Sequence, residues 1–303
     1  MSILTNQQII FFVTILIGYL YGRKDSSSDV ISSRLNKALL NLFMPSVLFI
    51  NTYKSDVLFF NIDFVIVYLF AFFINSIITY IFFYKKHLSE FLIMTLAASY
   101  VNSAFFTFPV IYLMLKDVSG AILLNVIQLF FINIPALLIM GAIKNKEKAS
   151  ILKIIFRSVT QPIILFPMFG VGLSFYNVLV PTLVSEGLSF FAQSASNLAL
   201  LAFGLSIAKL NFLKIKFNKE IVLLIIQKSC FHPLIILIIT NLIFTGLSDY
   251  WYKVLVISAL SPTAVLVHIY AKQFEVMDDV VLKVVLSTSF ISMPLLVLYN
   301  ITM

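Results

Sequence analysis

Two groups of residues in this chain have types and spacings that suit them for chemistry. Lys228 and His232 stand four residues apart inside an apolar run, which puts them on one face of a helix. Asn102, Ser103 and Thr107 precede Pro109, and Ser261 and Thr263 flank Pro262. A proline inside a helix leaves a carbonyl unbonded. The half-helix that follows a break offers free amides and the positive end of its dipole, to which hydroxyls and carboxamides add further donors. Such a place can replace the hydration shell of an anion. An ammonium nearby could neutralise that anion, and an imidazole could relay a proton. Bond-breaking chemistry finds no comparable set. His-Glu-x-x-His is absent, deep carboxylates are lacking, and Cys230 is the one cysteine, which rules out an internal disulfide and a multi-cysteine metal site.

The elements that must position these residues are membrane spans. Hydrophobic residues make up 61% of the chain and charged residues 11%, against about 25% charged in an average soluble domain. Apolar runs of bilayer length fall at about 4–21, 35–53, 57–84, 90–115, 119–143, 154–175, 182–208, 220–245, 250–271 and 278–301. The expected fold is therefore an all-α polytopic membrane protein of ten transmembrane helices, placed in the cell membrane with no cleavable leader. Most of the 21 basic residues flank the odd-numbered loops; the even-numbered ones hold only Lys54, Lys116 and Lys253. By the positive-inside rule the odd loops are cytoplasmic and both termini face outward. The same placement explains the basic excess without nucleic acid. Five spans per half invert the second half relative to the first, giving repeats at 1–143 and 154–303 joined by the polar linker 144–153. Pro45 through Phe49 align with Asn197 through Leu201, and Pro109 with Pro262, at nearly one offset. Matched interruptions in two inverted halves point to a transporter's substrate site.

In chain order, several segments carry a resemblance. They are Leu35-Asn36-Lys37 leading to Pro45; Asn102 through Pro109; Asn197 through Ser206; Lys228 to His232-Pro233; Pro262-Thr263-Ala264 followed by Tyr270-Ala271-Lys272; and Leu286 to Pro294. In this ordered set the chain resembles the auxin efflux carrier family of membrane transporters, distant relatives of the bile acid:sodium symporters. The resemblance implies a scaffold of helices 1, 2, 6 and 7. Helices 3 to 5 and 8 to 10 would form a transport bundle in which broken helices 4 and 9 cross. It implies alternating access of elevator type for a small organic anion, auxin in plants or dicarboxylates such as malonate and malate in bacteria. The family pattern Asn-x-Gly-x-x-Gly-x-Pro reads here with Ala104 and Thr107 at the glycine positions. Asn197 stands where proline is common, and Gln161-Pro162 replaces Asn-Pro.

The expected substrate cradle is Asn102, Ser103, Thr107, Pro109, Ser261, Pro262 and Thr263, with Lys228 about nine residues, roughly 13 Å, into span eight. Lys228 could meet the substrate carboxylate, stand where sodium-dependent relatives hold a coupling cation, or pin carbonyls freed at the Pro233 kink. His232, His268 and Asp63 are candidates for proton or sodium coupling; the plainer readings are a neutral hydrogen-bonding histidine, a packed polar residue and an interfacial acid. Asn125 and Gln128, three apart on helix 5, could line the crossing or glue helices together. No cofactor is expected, and the expected partners are the anion, the bilayer and at most a second copy of the chain. A channel or a sensor on the same fold is the alternative to a carrier, and an intramembrane enzyme the remotest one.

Overall fold

The computed structural model describes residues 6–25, 28–54, 61–144, 160, 162–208 and 217–302. Linker residues 145–153, Gln161 and the loop lysines Lys209, Lys214 and Lys216 lie outside them. Fifteen α-helices are formed among the described residues: α1 (Asn6–Lys24), α2 (Ser28–Ala38), α3 (Met44–Lys54), α4 (Ile62–Phe83), α5 (Leu88–Ser99), α6 (Phe108–Leu115), α7 (Ser119–Ile127), α8 (Ile134–Lys144), α9 (Pro162–Phe175), α10 (Thr182–Ala208), α11 (Lys219–Ile226), α12 (His232–Leu242), α13 (Asp249–Leu260), α14 (Val265–Phe274) and α15 (Asp278–Thr302). Helices dominate because hydrocarbon offers the backbone no partner, so its polar groups must be bonded within their own segment. Ile62–Phe83, Ser119–Ile143, Lys219–Leu242 and Asp278–Ile301 are each long and apolar enough to cross a bilayer. The protein is a polytopic membrane protein. In α4 the polarity is turned inward: Phe64, Tyr68, Ala71, Asn75 and Thr79 are buried, while Phe70, Phe73, Ile77 and Ile81 are exposed.

Among the described residues four π turns widen the helices, at Leu39–Phe43, Ser103–Thr107, Gln128–Asn133 and Gln227–Phe231. Each ends two residues before a proline, namely Pro45, Pro109, Pro135 and Pro233. A helical proline has no N–H, and its ring collides with the carbonyl four residues back. One surplus residue in that turn moves the carbonyl aside and lets the helix continue. Pro109 accordingly does not break its span, contrary to the sequence expectation: it is the second residue of α6. The break lies earlier, at Tyr100–Asn102.

Two compact units divide the chain. One comprises Met1–Phe60, Ala104–Val126 and Ile155–Asn211, the other Asn61–Ser103, Ile127–Ile154 and Phe212–Met303. In the first unit, α1 lies directly on α10 through small residues spaced four apart, Gly18 and Gly22 against Gly204 and Ala208. A Cβ added at Gly204 would fall on the Ile15 carbonyl and 3.1 Å from Gly18 Cα. Membrane helices have no hydrophobic drive to associate, so close backbone approach of this kind supplies the van der Waals contact instead. Gly204→Val is expected to destabilise the protein by about 1–3 kcal/mol through overpacking. A thermal unfolding midpoint in detergent equal to that of the parent would contradict this. Beside this pair, α9 packs on α3 with Gly170 against Thr52 and Phe166 edge-on to Phe49 at 6.3 Å.

The second unit is built on α4, α5, α8 and α11 to α15. Asn61 caps α4 by accepting from Phe64 N at 2.8 Å, and Asn218 caps α11 by accepting from Ile221 N at 2.9 Å. In the α4–α5 loop Lys86 lies 2.7 Å from Glu220 at the start of α11 and 3.6 Å from Glu90. The hydrogen bond to Glu220 raises the lysine above its ordinary pKa.

Candidate functional site

The second unit contains two interrupted helices, and the interruptions pair with each other. α5 ends at Ser99, and Tyr100 to Asn102 run extended; α13 ends at Leu260, and Ser261 to Ala264 do the same. Val101 and Thr263 form an antiparallel bridge. Asn102 N donates to the Pro262 carbonyl at 2.9 Å, and Ala264 N to the Tyr100 carbonyl at 3.0 Å. This short ribbon satisfies backbone groups that neither half-helix can satisfy, which is the condition for irregular backbone at membrane depth.

The carbonyls at the open ends of α5 and α13 are taken by side chains. Thr263 Oγ1 donates to Ala97 O at 2.7 Å. Asn75 Nδ2 donates to Ala98 O at 2.9 Å and to Ser99 Oγ at 2.8 Å. Gln128 Nε2 donates to Val101 O at 3.1 Å and to the Tyr68 hydroxyl at 2.9 Å. On the other broken helix, Ser261 Oγ donates to Ile257 O at 2.8 Å and Lys228 Nζ to Ala259 O at 3.1 Å. Thr263 N in turn donates to Thr288 Oγ1 of α15 at 3.2 Å. Leaving one of these groups unmade in so dry a place would cost about 1–3 kcal/mol.

The π turn ahead of Pro233 reaches both broken helices. Gln227 Nε2 donates to Asn75 O at 2.8 Å, Asn75 Oδ1 at 3.0 Å and Thr79 Oγ1 at 2.7 Å. Through Asn75 it supports the end of α5, and its neighbour Lys228 caps α13. Asn75, Gln227 and Tyr68 escaped the sequence reasoning. A carboxamide in the middle of span three and another in span eight were the available signal.

Of the expected cradle, Asn102, Ser261, Pro262 and Thr263 meet at the ribbon, and Ser103 follows it directly, with its N–H donating to Val101 O at 2.8 Å. Thr107 and Pro109 are buried but belong to the first unit. Lys228 is 1% exposed and bonds a freed carbonyl, at the end of α13 rather than at the Pro233 kink. His232 opens α12 and is fully buried, with the Tyr68 ring edge-on at 6.5 Å. His268 is half-buried in the second turn of α14. Asp63 sits in the first turn of α4, beside the cap Asn61 and favourably placed for the helix dipole. Asn125 donates to Ala121 O of its own helix at 2.9 Å, whereas Gln128 reaches the ribbon. Among the described residues no group of three His, Cys, Asp or Glu side chains could hold a metal ion.

Apolar spans broken at a shared crossing, with polar side chains and a buried cation gathered round it, are the anatomy of a membrane transporter. Comparison with known proteins gives the particular family. The family described as membrane transport protein matches residues 3–300, and the chain belongs to it, the family of the auxin efflux carriers. Over 239 aligned residues the chain is 26% identical to an uncharacterized transporter, YfdV, of Escherichia coli strain K12, covering 75% of each chain, with the same values for its counterparts in Escherichia coli O157:H7 and Shigella flexneri.

Proposed function

We propose that the protein is a secondary transporter that moves a small organic anion, of the carboxylate class, across the cytoplasmic membrane. The observation that carries the reading is the ribbon at Val101 and Thr263, with the Lys228 ammonium in the same unit's interior and no buried carboxylate among the described residues to neutralise it. A lone ammonium at such depth is costly unless something pairs with it. A carboxylate from outside supplies that pair. The cradle combines Lys228 with Asn102, Ser103, Ser261, Pro262 and Thr263, all residues of the second unit. Lys228 holding the carbonyl end of α13 also suits the role of a built-in cation standing where sodium-dependent relatives bind a coupling ion.

The architecture we propose is ten spans in two inverted five-helix repeats, with both termini outside, working by alternating access. It is supported by the distribution of basic residues and by the division of the chain, in which spans three, eight, nine and ten, the broken part of span four and the second half of span five make up one unit, and spans one, two, six and seven, together with Ala104–Val126, the other. In proteoliposomes the purified protein is expected to take up radiolabelled malate with saturation, and faster when unlabelled malate is loaded inside. Linear uptake without counter-stimulation would favour a channel.

A further inference from the structure

An anion is held by hydrogen-bond donors, and at the crossing many side-chain donors are already committed to the protein. Thr263 Oγ1 and Ser261 Oγ give their hydrogens to Ala97 O and Ile257 O. The carboxamide nitrogens of Asn75 and Gln128 each donate to two protein oxygens, and Gln227 Nε2 is taken by Asn75 and Thr79. Two neighbouring groups keep donors in hand. The Lys228 ammonium carries three N–H groups and bonds one acceptor among the described residues, Ala259 O. His232 is 0% exposed, and neither Nδ1 nor Nε2 has a hydrogen-bond partner among the described residues. The π turn separates the two: His232 N closes it by donating to the carbonyl of Gln227, the residue before Lys228. The lysine acts electrostatically on the ring. As packing alone the imidazole is a poor choice, because a phenylalanine would fill the space without desolvating two nitrogens. Nor does the ring complete the crossing's own network, since the buried acceptors Gln128 Oε1 and Gln227 Oε1 are bonded neither by it nor by another donor.

We propose that the neutral His232 imidazole is a substrate-binding residue, its N–H donating to one oxygen of the carboxylate that the Lys228 ammonium attracts. The inference rests on the anion reading above and adds a contact to it: Lys228 supplies charge and His232 supplies direction. A neutral imidazole carries one N–H, and a second cation beside the ammonium would meet its repulsion. One carboxylate is sufficient, and no proton changes hands. Ser261 and Thr263, whose hydrogens are committed, brace the broken helices and do not donate to the anion while those bonds stand. The imidazole is also tied to the crossing. The Tyr68 ring lies edge-on to it at 6.5 Å, and the Tyr68 hydroxyl accepts from Gln128, which holds Val101 of the ribbon.

The test uses the full-length protein in detergent, with malate as the probe in calorimetric titration and a thermal unfolding curve without it. His232→Phe should weaken malate binding roughly tenfold or more, the effect of losing one hydrogen bond to a charged group. Its unfolding midpoint should stay or rise, because the new ring fills the space without unpaired nitrogens. His232→Gln keeps a neutral N–H donor and should recover most of the affinity. In His87→Gln/His268→Gln protein His232 is the remaining histidine. Its ring nitrogens should keep the resonances of a neutral imidazole when malate is added, with the N–H proton moved downfield. Three results would overturn the assignment and leave the anion reading standing: unchanged affinity in His232→Phe, a midpoint that falls with the affinity and no recovery in His232→Gln, or imidazolium resonances on adding malate. Absence of binding to the parent protein for malate and every other small carboxylate would bring down the anion reading, and this proposal with it.

Discussion

Lys228→Met is expected to weaken malate binding by roughly 30-fold or more while leaving the unliganded protein as stable as the parent, or more stable. The two effects have different origins. Removing one partner of a buried charged contact costs about 2–5 kcal/mol of affinity, and about 1.4 kcal/mol is a factor of ten. In the empty protein the substitution forfeits one hydrogen bond, to Ala259 O, and strands that carbonyl at a cost of about 1–3 kcal/mol. It also removes an ammonium whose burial costs several kcal/mol without a counterion. The second magnitude matches or exceeds the first. Calorimetric titration with malate and a thermal unfolding curve without it read the two quantities separately. An unchanged dissociation constant with a lowered midpoint would assign Lys228 to holding α13 and nothing more.

Asn75→Leu is expected to lower the unfolding midpoint by about 2–12 °C and malate transport by tenfold or more. The carboxamide holds Ala98 O and Ser99 Oγ and receives Gln227, so its loss strands the Ala98 carbonyl at the edge of the ribbon and takes one acceptor from Gln227 Nε2, which keeps Asn75 O and Thr79 Oγ1. Interhelical bonds in membranes average well below 1 kcal/mol, with a maximum near 1.7, but unsatisfied groups left behind raise the sum to about 1–3 kcal/mol. A protein of this size loses roughly 2–4 °C per kcal/mol. Because Gln227 reaches the ribbon through Asn75, the double variant Asn75→Leu/Gln227→Leu should be scarcely worse than the worse single one. Strictly additive midpoints would show that the two residues do not act as a unit.

The membrane class, the four long apolar helices Ile62–Phe83, Ser119–Ile143, Lys219–Leu242 and Asp278–Ile301 and the region of the crossing were legible in the sequence because each depends on local composition. The position of the break within span four was not. Pro109 looked like the interruption, yet proline here is absorbed by a π turn, while Tyr100 to Asn102 carry no glycine or proline to announce their extended backbone. What holds them extended is pairing with Pro262 and Ala264, a tertiary condition invisible to a local pattern. Gln128 and Asn125 illustrate the same limit. Both are carboxamides on one helix stretch, and only the structure distinguishes the one that bonds its own turn from the one that reaches Val101. Lys228 could be singled out from its depth alone, but its bond to the end of α13 could not, since that helix end is made by a break in another span.

The ribbon also bears on how the protein is made. Thr263 and the Ala97 carbonyl it satisfies are 166 residues apart. At a synthesis rate of about 5–20 residues per second, the N-terminal break waits on the order of ten to thirty seconds for its partner. During that interval the end of α5 enters the bilayer with backbone groups that only later sequence can bond. Nascent chains halted between the two breaks therefore hold an unfinished, polar seam in hydrocarbon, a natural point for insertion factors to wait on and for quality-control proteases to recognise.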